Sequence, residues 1–297
     1  MKSLINNIEC KGYNLTITVN NIIISYDDVG EGEIPIIFLH GFPFDKSMWH
    51  LQLDALKTSH RLIAYDIRGF GKSTDTASLL SIDMFADDLI KFLDALSINK
   101  AIVCGFSMGG YIALNALKRF PERFKALVLC DTQCVADTAE AKEKRAMAID
   151  EIAKDGVTLF NEGFLKKVFH KDSLKSKRKL VDQLKTVVFG NSTHIITQGL
   201  LAMDSRKETC SILEKIDIPT LILCGRQDEV TPLAQSEFMH ENIRASILHI
   251  IENAGHVSNL EQPDAFNTFL GEFLDDVTSE GVEYFSWDEI NVQKPGN

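Results

Sequence analysis

Two rhythms of apolar residues run along the chain. Leu15–Val19 and Ile22–Tyr26 read as a strand pair joined at Asn20-Asn21. Ile34–His40 and Arg61–Asp66 are continuous apolar runs, as expected of strands buried on both faces of a sheet. Ile82–Leu96 carries apolar residues at helical spacing, namely Phe85, Leu89, Phe92, Leu93 and Leu96. A strand follows at Ala101–Phe106, a helix at Met108–Phe120 that Pro121 stops, and a strand at Phe124–Cys130. From Gln133 to Lys207 the pattern changes: the stretch is rich in Lys, Glu and Ala, contains no Pro, and reads as consecutive helices. Alternation then returns with a strand at Thr220–Cys224, a helix at Pro232–Asn242, a strand at Ser246–Ile251 and a helix at Pro263–Leu274.

Strands alternating with helices predict an α/β fold with a mostly parallel sheet flanked by helices. Residues 1–132 and 208–277 would form this core, 133–207 a helical cap or lid inserted after a strand, and 278–297 a polar C-terminal tail. The insertion meets the core near the C-terminal ends of strands, where open α/β sheets bind ligands. The tail carries isolated aromatics (Tyr284, Phe285, Trp287) and is assigned no catalytic role.

Composition narrows the function classes. The 297 residues are 45% hydrophobic and 25% charged, enough for a large buried core. The net charge of −11 and the lack of a basic arm argue against nucleic-acid binding. No apolar run approaches the roughly 20 residues of a membrane helix. Met1 to Gly12 lacks the features of a secretory signal, so a cytoplasmic location is expected. The six cysteines (Cys10, Cys104, Cys130, Cys134, Cys210 and Cys224) form no C-x-x-C pair and are expected as reduced structural thiols. No metal-ligand spacing appears among the carboxylates and histidines, and no cofactor is expected.

Gly105-Phe106-Ser107-Met108-Gly109 sits between a strand and a helix, the setting of a nucleophile elbow. A serine hydroxyl needs a base. His256 follows the strand Ser246–Ile251 and is the candidate, whereas His40 shapes the loop after its own strand. The base in turn needs an acid. Asp228 follows Thr220–Cys224 and suits the order Ser, Asp, His; Asp131, after Phe124–Cys130, is the rival. Backbone N–H groups of Met108 and Phe42 are the candidate oxyanion donors, since Pro43 has none. Phe42, Met108, Phe160, Phe164 and Phe169 are candidate pocket residues. Two decoys are set aside: Gly69-Phe70-Gly71-Lys72-Ser73 has Asp66 where a phosphate-binding loop needs its first glycine, and Thr74 where a dinucleotide fingerprint needs its third.

His40-Gly41-Phe42-Pro43, Asp66 to Ser73, Phe106 to Gly110, Asp228 and His256 together resemble the α/β-hydrolase superfamily over about residues 14 to 275. Ser107 to Tyr111, Ala202 to Arg206 and Gly255 to Glu261 resemble the small carboxylesterases similar to 3-oxoadipate enol-lactonases. The resemblance implies an eight-stranded sheet, a helical cap after the sixth strand, and cofactor-free hydrolysis of a small ester or lactone. It also implies Ser107 as nucleophile, His256 as base and Asp228 as acid, and leaves substrate and oligomeric state open. Met108 stands where similar cofactor-free haloperoxidases tend to have Thr, and Ser107 argues against dehalogenases and epoxide hydrolases with an Asp nucleophile. The alternative from another class is a hydrolase-fold ligand receptor or signalling partner with little turnover. An enol-lactone carries a carboxylate, for which Arg145, Lys166, Lys167 and Arg206 are candidate partners by location.

Overall fold

A computed structural model of the chain describes residues 11–77 and 79–279. The tail from 280 onward and Cys10 lie outside the described residues. The sheet has eight strands: β1 (Gly12–Val19), β2 (Ile22–Val29), β3 (Ile36–Leu39), β4 (Leu62–Tyr65), β5 (Ala101–Phe106), β6 (Phe124–Cys130), β7 (Thr220–Gly225) and β8 (Ser246–Ile251). Their order is β1-β2-β4-β3-β5-β6-β7-β8. β2 is antiparallel to its neighbours β1 and β4, and the pairs from β4 through β8 are parallel.

The central strands are buried on both faces, and their side chains alternate between two apolar cores. Along β5, Ala101 and Val103 join one core while Ile102, Cys104 and Phe106 join the other. Helices cover both faces. They are α1 (His50–Leu56), α2 (Ile82–Ala95), α3 (Met108–Arg119), α4 (Ala139–Asp155), α5 (Thr158–Val168), α6 (Ser173–Ser176), α7 (Arg178–Gly190), α8 (Thr193–Asp204), α9 (Leu233–Asn242), α10 (Ser258–Glu261) and α11 (Pro263–Thr278). The Ser81 hydroxyl caps α2 by accepting from Met84 N–H at 3.1 Å. α3 stops before Pro121, as proline requires. The short helices α1 and α10 leave no mark on the apolar pattern, each being too brief to display a helical stripe.

Five helices, α4 to α8, lie between β6 and β7. The expectation of six reduced thiols is corrected here. Cys134, just after β6, is disulfide-bonded to Cys210, ahead of β7, so the bond joins the two ends of the insertion. Thr209 N–H also donates to the Cys134 carbonyl at 2.8 Å. Cys104, Cys130 and Cys224 are free and buried. Among the described residues, no helix is long and apolar enough to cross a membrane.

Candidate active site

The loops after β3, β5, β6, β7 and β8 converge at one edge of the sheet, and each carries one part of the site. After β5 the chain reverses at Ser107, whose φ of 51° is left-handed. The turn depends on its glycines. A Cβ on Gly105 would stand 2.4 Å from the Gly109 carbonyl oxygen, and one on Gly109 would stand 2.3 Å from that of Leu39. Strand and helix approach this closely only without side chains. Ser107 N–H donates to the Cys130 carbonyl at 2.9 Å, and the Thr132 hydroxyl donates to the Ser107 carbonyl at 2.7 Å. The backbone of the elbow is thereby fixed on both sides while its hydroxyl stays unencumbered.

That hydroxyl lies 2.9 Å from His256 Nε2, and His256 Nδ1 lies 2.8 Å from Asp228 Oδ2. Asp228 accepts also from the N–H groups of Val230 and Thr231, at 2.7 and 3.0 Å, and from the Thr231 hydroxyl at 2.7 Å. Burial pushes the Asp228 carboxyl up, but the charge of His256 and the hydrogen bonds from His256 and Thr231 outweigh it and hold the group below its ordinary range. An ionised Asp228 fixes Nδ1 as the protonated nitrogen, which leaves Nε2 to accept the Ser107 proton. Ser107, His256 and Asp228 are all buried.

Asp131, the rival acid, occupies a different niche. It accepts Gly225 N–H at 2.8 Å and is bonded to the Ser258 hydroxyl at 2.5 Å, so it ties the end of β6 to the Asp228 loop and to the helix after His256. Burial, with the Asp228 charge second, pushes its carboxyl well above the ordinary range. Asp131, Cys224 and Asp228 bring ligand-type atoms within 4.8 Å of one another. Their carboxylate oxygens already hold protein donors, and burial keeps the Cys224 thiol protonated, so the group suits a hydrogen-bonded strut better than a cation.

The loop after β3 carries Phe42. His40 pins it: Ile67 N–H donates to Nε2 at 2.9 Å, and Nδ1 donates to the Gly41 carbonyl at 2.9 Å. This pairing requires a neutral ring, and burial lowers the His40 pKa. The N–H groups of Phe42 and Met108 donate to no backbone carbonyl among the described residues. The rejected glycine-rich run turns out to brace this loop. Asp66 accepts Lys46 N–H at 2.8 Å and Lys72 N–H at 2.9 Å, and a Cβ on Gly71, at φ +55°, would collide with the Asp66 carboxyl. Arg68 forks onto Asp88 at 2.6 and 2.7 Å.

Of the candidate pocket residues, Phe160 and Phe164 on α5 meet the Phe42 ring, with centroids 6.3 and 6.1 Å away. Phe169 is buried in the opposite core. The structure places the four candidate cations as follows. Arg206 and Arg145 both pair with Asp137, at 2.8 and 2.5 Å, and Arg206 lies over the Tyr111 ring. Lys166 and Lys167 point to solvent. Thr231 and Thr132 carry no signal in the sequence, because a hydroxyl near an acid is commonplace without the fold, and the bracing role of Glu261, which closes the run Gly255 to Glu261, is visible only in the structure.

Residues 34–263 match the family described as alpha/beta hydrolase fold. The chain is 31% identical over 256 residues to 3-oxoadipate enol-lactonase 2 of Acinetobacter baylyi, covering 85% of this chain and 93% of that protein. Among solved structures, a thermophilic esterase from Thermogutta terrifontis superimposes with a TM-score of 0.84 at 28% identity, covering 89% of this chain and 99% of that one. A bromoperoxidase from Bacillus anthracis gives 0.79 at 27%, over 89% and 100%. With the family match spanning most of its length and the sheet order described above, the chain belongs to the α/β-hydrolase fold family.

Proposed function

We propose that the protein is a serine hydrolase that cleaves a small carboxylic ester or lactone through an acyl-enzyme. The observation that carries this reading is the continuous relay from Ser107 Oγ to His256 Nε2 at 2.9 Å and from His256 Nδ1 to Asp228 at 2.8 Å. The similarity to an enol-lactonase and to an esterase supports the substrate class.

Ser107 Oγ attacks the carbonyl carbon as His256 Nε2 takes its proton, and Asp228 stabilises the resulting imidazolium. The carbonyl oxygen becomes an oxyanion and accepts from Phe42 N–H and Met108 N–H, the latter at the positive end of α3. His256 returns the proton to the leaving alkoxide. Water then attacks the acyl carbonyl, gives a proton to His256, and releases the carboxylic acid as Ser107 regains its hydrogen. Residues 133–207 act as the cap over this site. No step calls for a cofactor.

Labelling with a fluorophosphonate tests the reading. The wild-type chain is expected to be modified at Ser107 and to hydrolyse p-nitrophenyl esters, with both lost in Ser107→Ala. A wild-type chain inert to both reagents is a receptor or partner protein, and the hydrolase reading falls.

A further inference from the structure

One helix of the insertion touches both halves of the machinery. On α5, Phe160, Phe164 and Val168 recur at four-residue spacing and therefore share a face. At one end, the Phe160 and Phe164 rings pack on Phe42 at 6.3 and 6.1 Å, and Phe164 also packs on Phe44 at 5.7 Å. At the other end, the Val168 carbonyl accepts His256 N–H at 2.8 Å and Val257 N–H at 3.3 Å. The last carbonyls of a helix have no partner within it. This one is satisfied by the backbone of the base itself.

Neighbouring contacts repeat the arrangement. Asn191, at the end of α7, donates from Nδ2 to the Pro43 carbonyl at 2.7 Å. Glu261 is buried and holds insertion and base loop together, accepting His170 N–H at 2.9 Å and Gly255 N–H at 2.7 Å. Gly199 of α8 lies so close beneath the Phe42 ring that a Cβ there would come within 2.6 Å of it.

Resting on the hydrolase reading above, we infer that α5 is a positioning strut: its seating on the core sets the Phe42 oxyanion donor and the His256 base together. The insertion then does more than cover the site. Displacing it removes the ring contacts that orient Phe42 and the carbonyl that anchors His256, so the unseated molecule is chemically incompetent. Phe164 and Asn191 are the positioning residues whose side chains report this.

The test uses the full-length chain with Phe164→Ala, Phe164→Leu and Asn191→Ala. Each is assayed on p-nitrophenyl acetate and p-nitrophenyl butyrate, with an alkyl trifluoromethyl ketone as the transition-state probe. A strut predicts that kcat falls tenfold or more in Phe164→Ala and several-fold in Asn191→Ala. The fall is the same for both esters, KM stays within twofold, the ketone weakens in step with kcat, and Phe164→Leu recovers part of the loss. A loss confined to KM that grows with acyl length makes Phe164 a mere pocket wall and overturns the inference, as does a kcat unchanged in both positions. Thermal melts establish that the variants fold; if Phe164→Ala does not, Asn191→Ala is judged by the same criteria. Failure of the underlying reading shows separately, as a wild-type chain that neither hydrolyses ester nor takes the fluorophosphonate label.

Discussion

Two buried carboxyls stand within 4.8 Å of each other at the ends of β6 and β7, and their surroundings assign them opposite tasks. Asp228 faces His256 and is held ionised; Asp131 faces Ser258 and Gly225 N–H and is pushed toward its neutral form. The isosteric exchange to Asn separates them. In Asp228→Asn the amide favours the wrong imidazole tautomer, and kcat is expected to drop about 10⁴-fold. In Asp131→Asn the amide oxygen still accepts from Gly225 N–H, while the bond that the Ser258 hydroxyl donates to Oδ2 is lost or reversed, so kcat stays within about tenfold, in line with the loss of one buried hydrogen bond. Steady-state kinetics on one ester decide; a collapse in Asp131→Asn with Asp228→Asn spared reverses the assignment. At this scale the sequence was informative where a reactive side chain follows an apolar strand, as Ser107, Asp228 and His256 do. It was silent where the partner is a backbone atom far along the chain, as the Val168 carbonyl is for His256, because no residue type marks a carbonyl.

The strands β5, β6 and β8 are readable from sequence to the residue, since each is a short apolar-rich run bounded by turn residues, interrupted only by Lys125 in β6 and His249 in the edge strand β8. The insertion was readable as helical, but its internal boundaries were not. α4 buries only Ile152, so its apolar pattern is faint, whereas α7 presents Leu180, Leu184 and Val188 in a stripe. The Cys134–Cys210 bond was equally hidden, because a separation of 76 residues says nothing about proximity. It closes the insertion at its base, and closing a loop of that length restrains the unfolded chain by about 4 kcal/mol. In the oxidised chain, thiol labelling under denaturing conditions should therefore modify Cys104, Cys130 and Cys224 but leave Cys134 and Cys210 unmodified until reductant is added, and reductant should lower the melting temperature by several degrees. Labelling of Cys134 and Cys210 in the unreduced protein, or a melt indifferent to reductant, would dispose of the clip. Arg206, just past α8, repeats the closure without sulfur through its contacts with Asp137 and the Val135 carbonyl.

Over the whole molecule, charge argues for the kind of acyl group the site accepts. The chain carries a net charge of −11, so its long-range field repels anionic substrates and neutral ones are indifferent to it. Locally, Arg145 and Arg206 share the one carboxylate of Asp137, which offsets one of their two charges and holds both side chains, and the rings of Phe160 and Phe164 pack on Phe42 beside the elbow. A substrate bearing a free carboxylate therefore meets repulsion on approach and apolar rings on arrival. The comparison that isolates the field is p-nitrophenyl butyrate against p-nitrophenyl hemisuccinate, which differ chiefly in that carboxylate. kcat/KM for the hemisuccinate should be at least tenfold lower at low ionic strength and should rise as salt shortens the Debye length from about 30 Å at 0.01 M to about 8 Å at 0.15 M. The butyrate should be nearly flat across the same range. A hemisuccinate rate that matches or exceeds the butyrate rate, and falls with salt, would mean that a cation attracts the carboxylate after all and that Arg206 or Arg145 leaves Asp137 to do so. The two slopes thus read whether the acidic surface merely keeps the protein soluble or also filters what reaches Ser107.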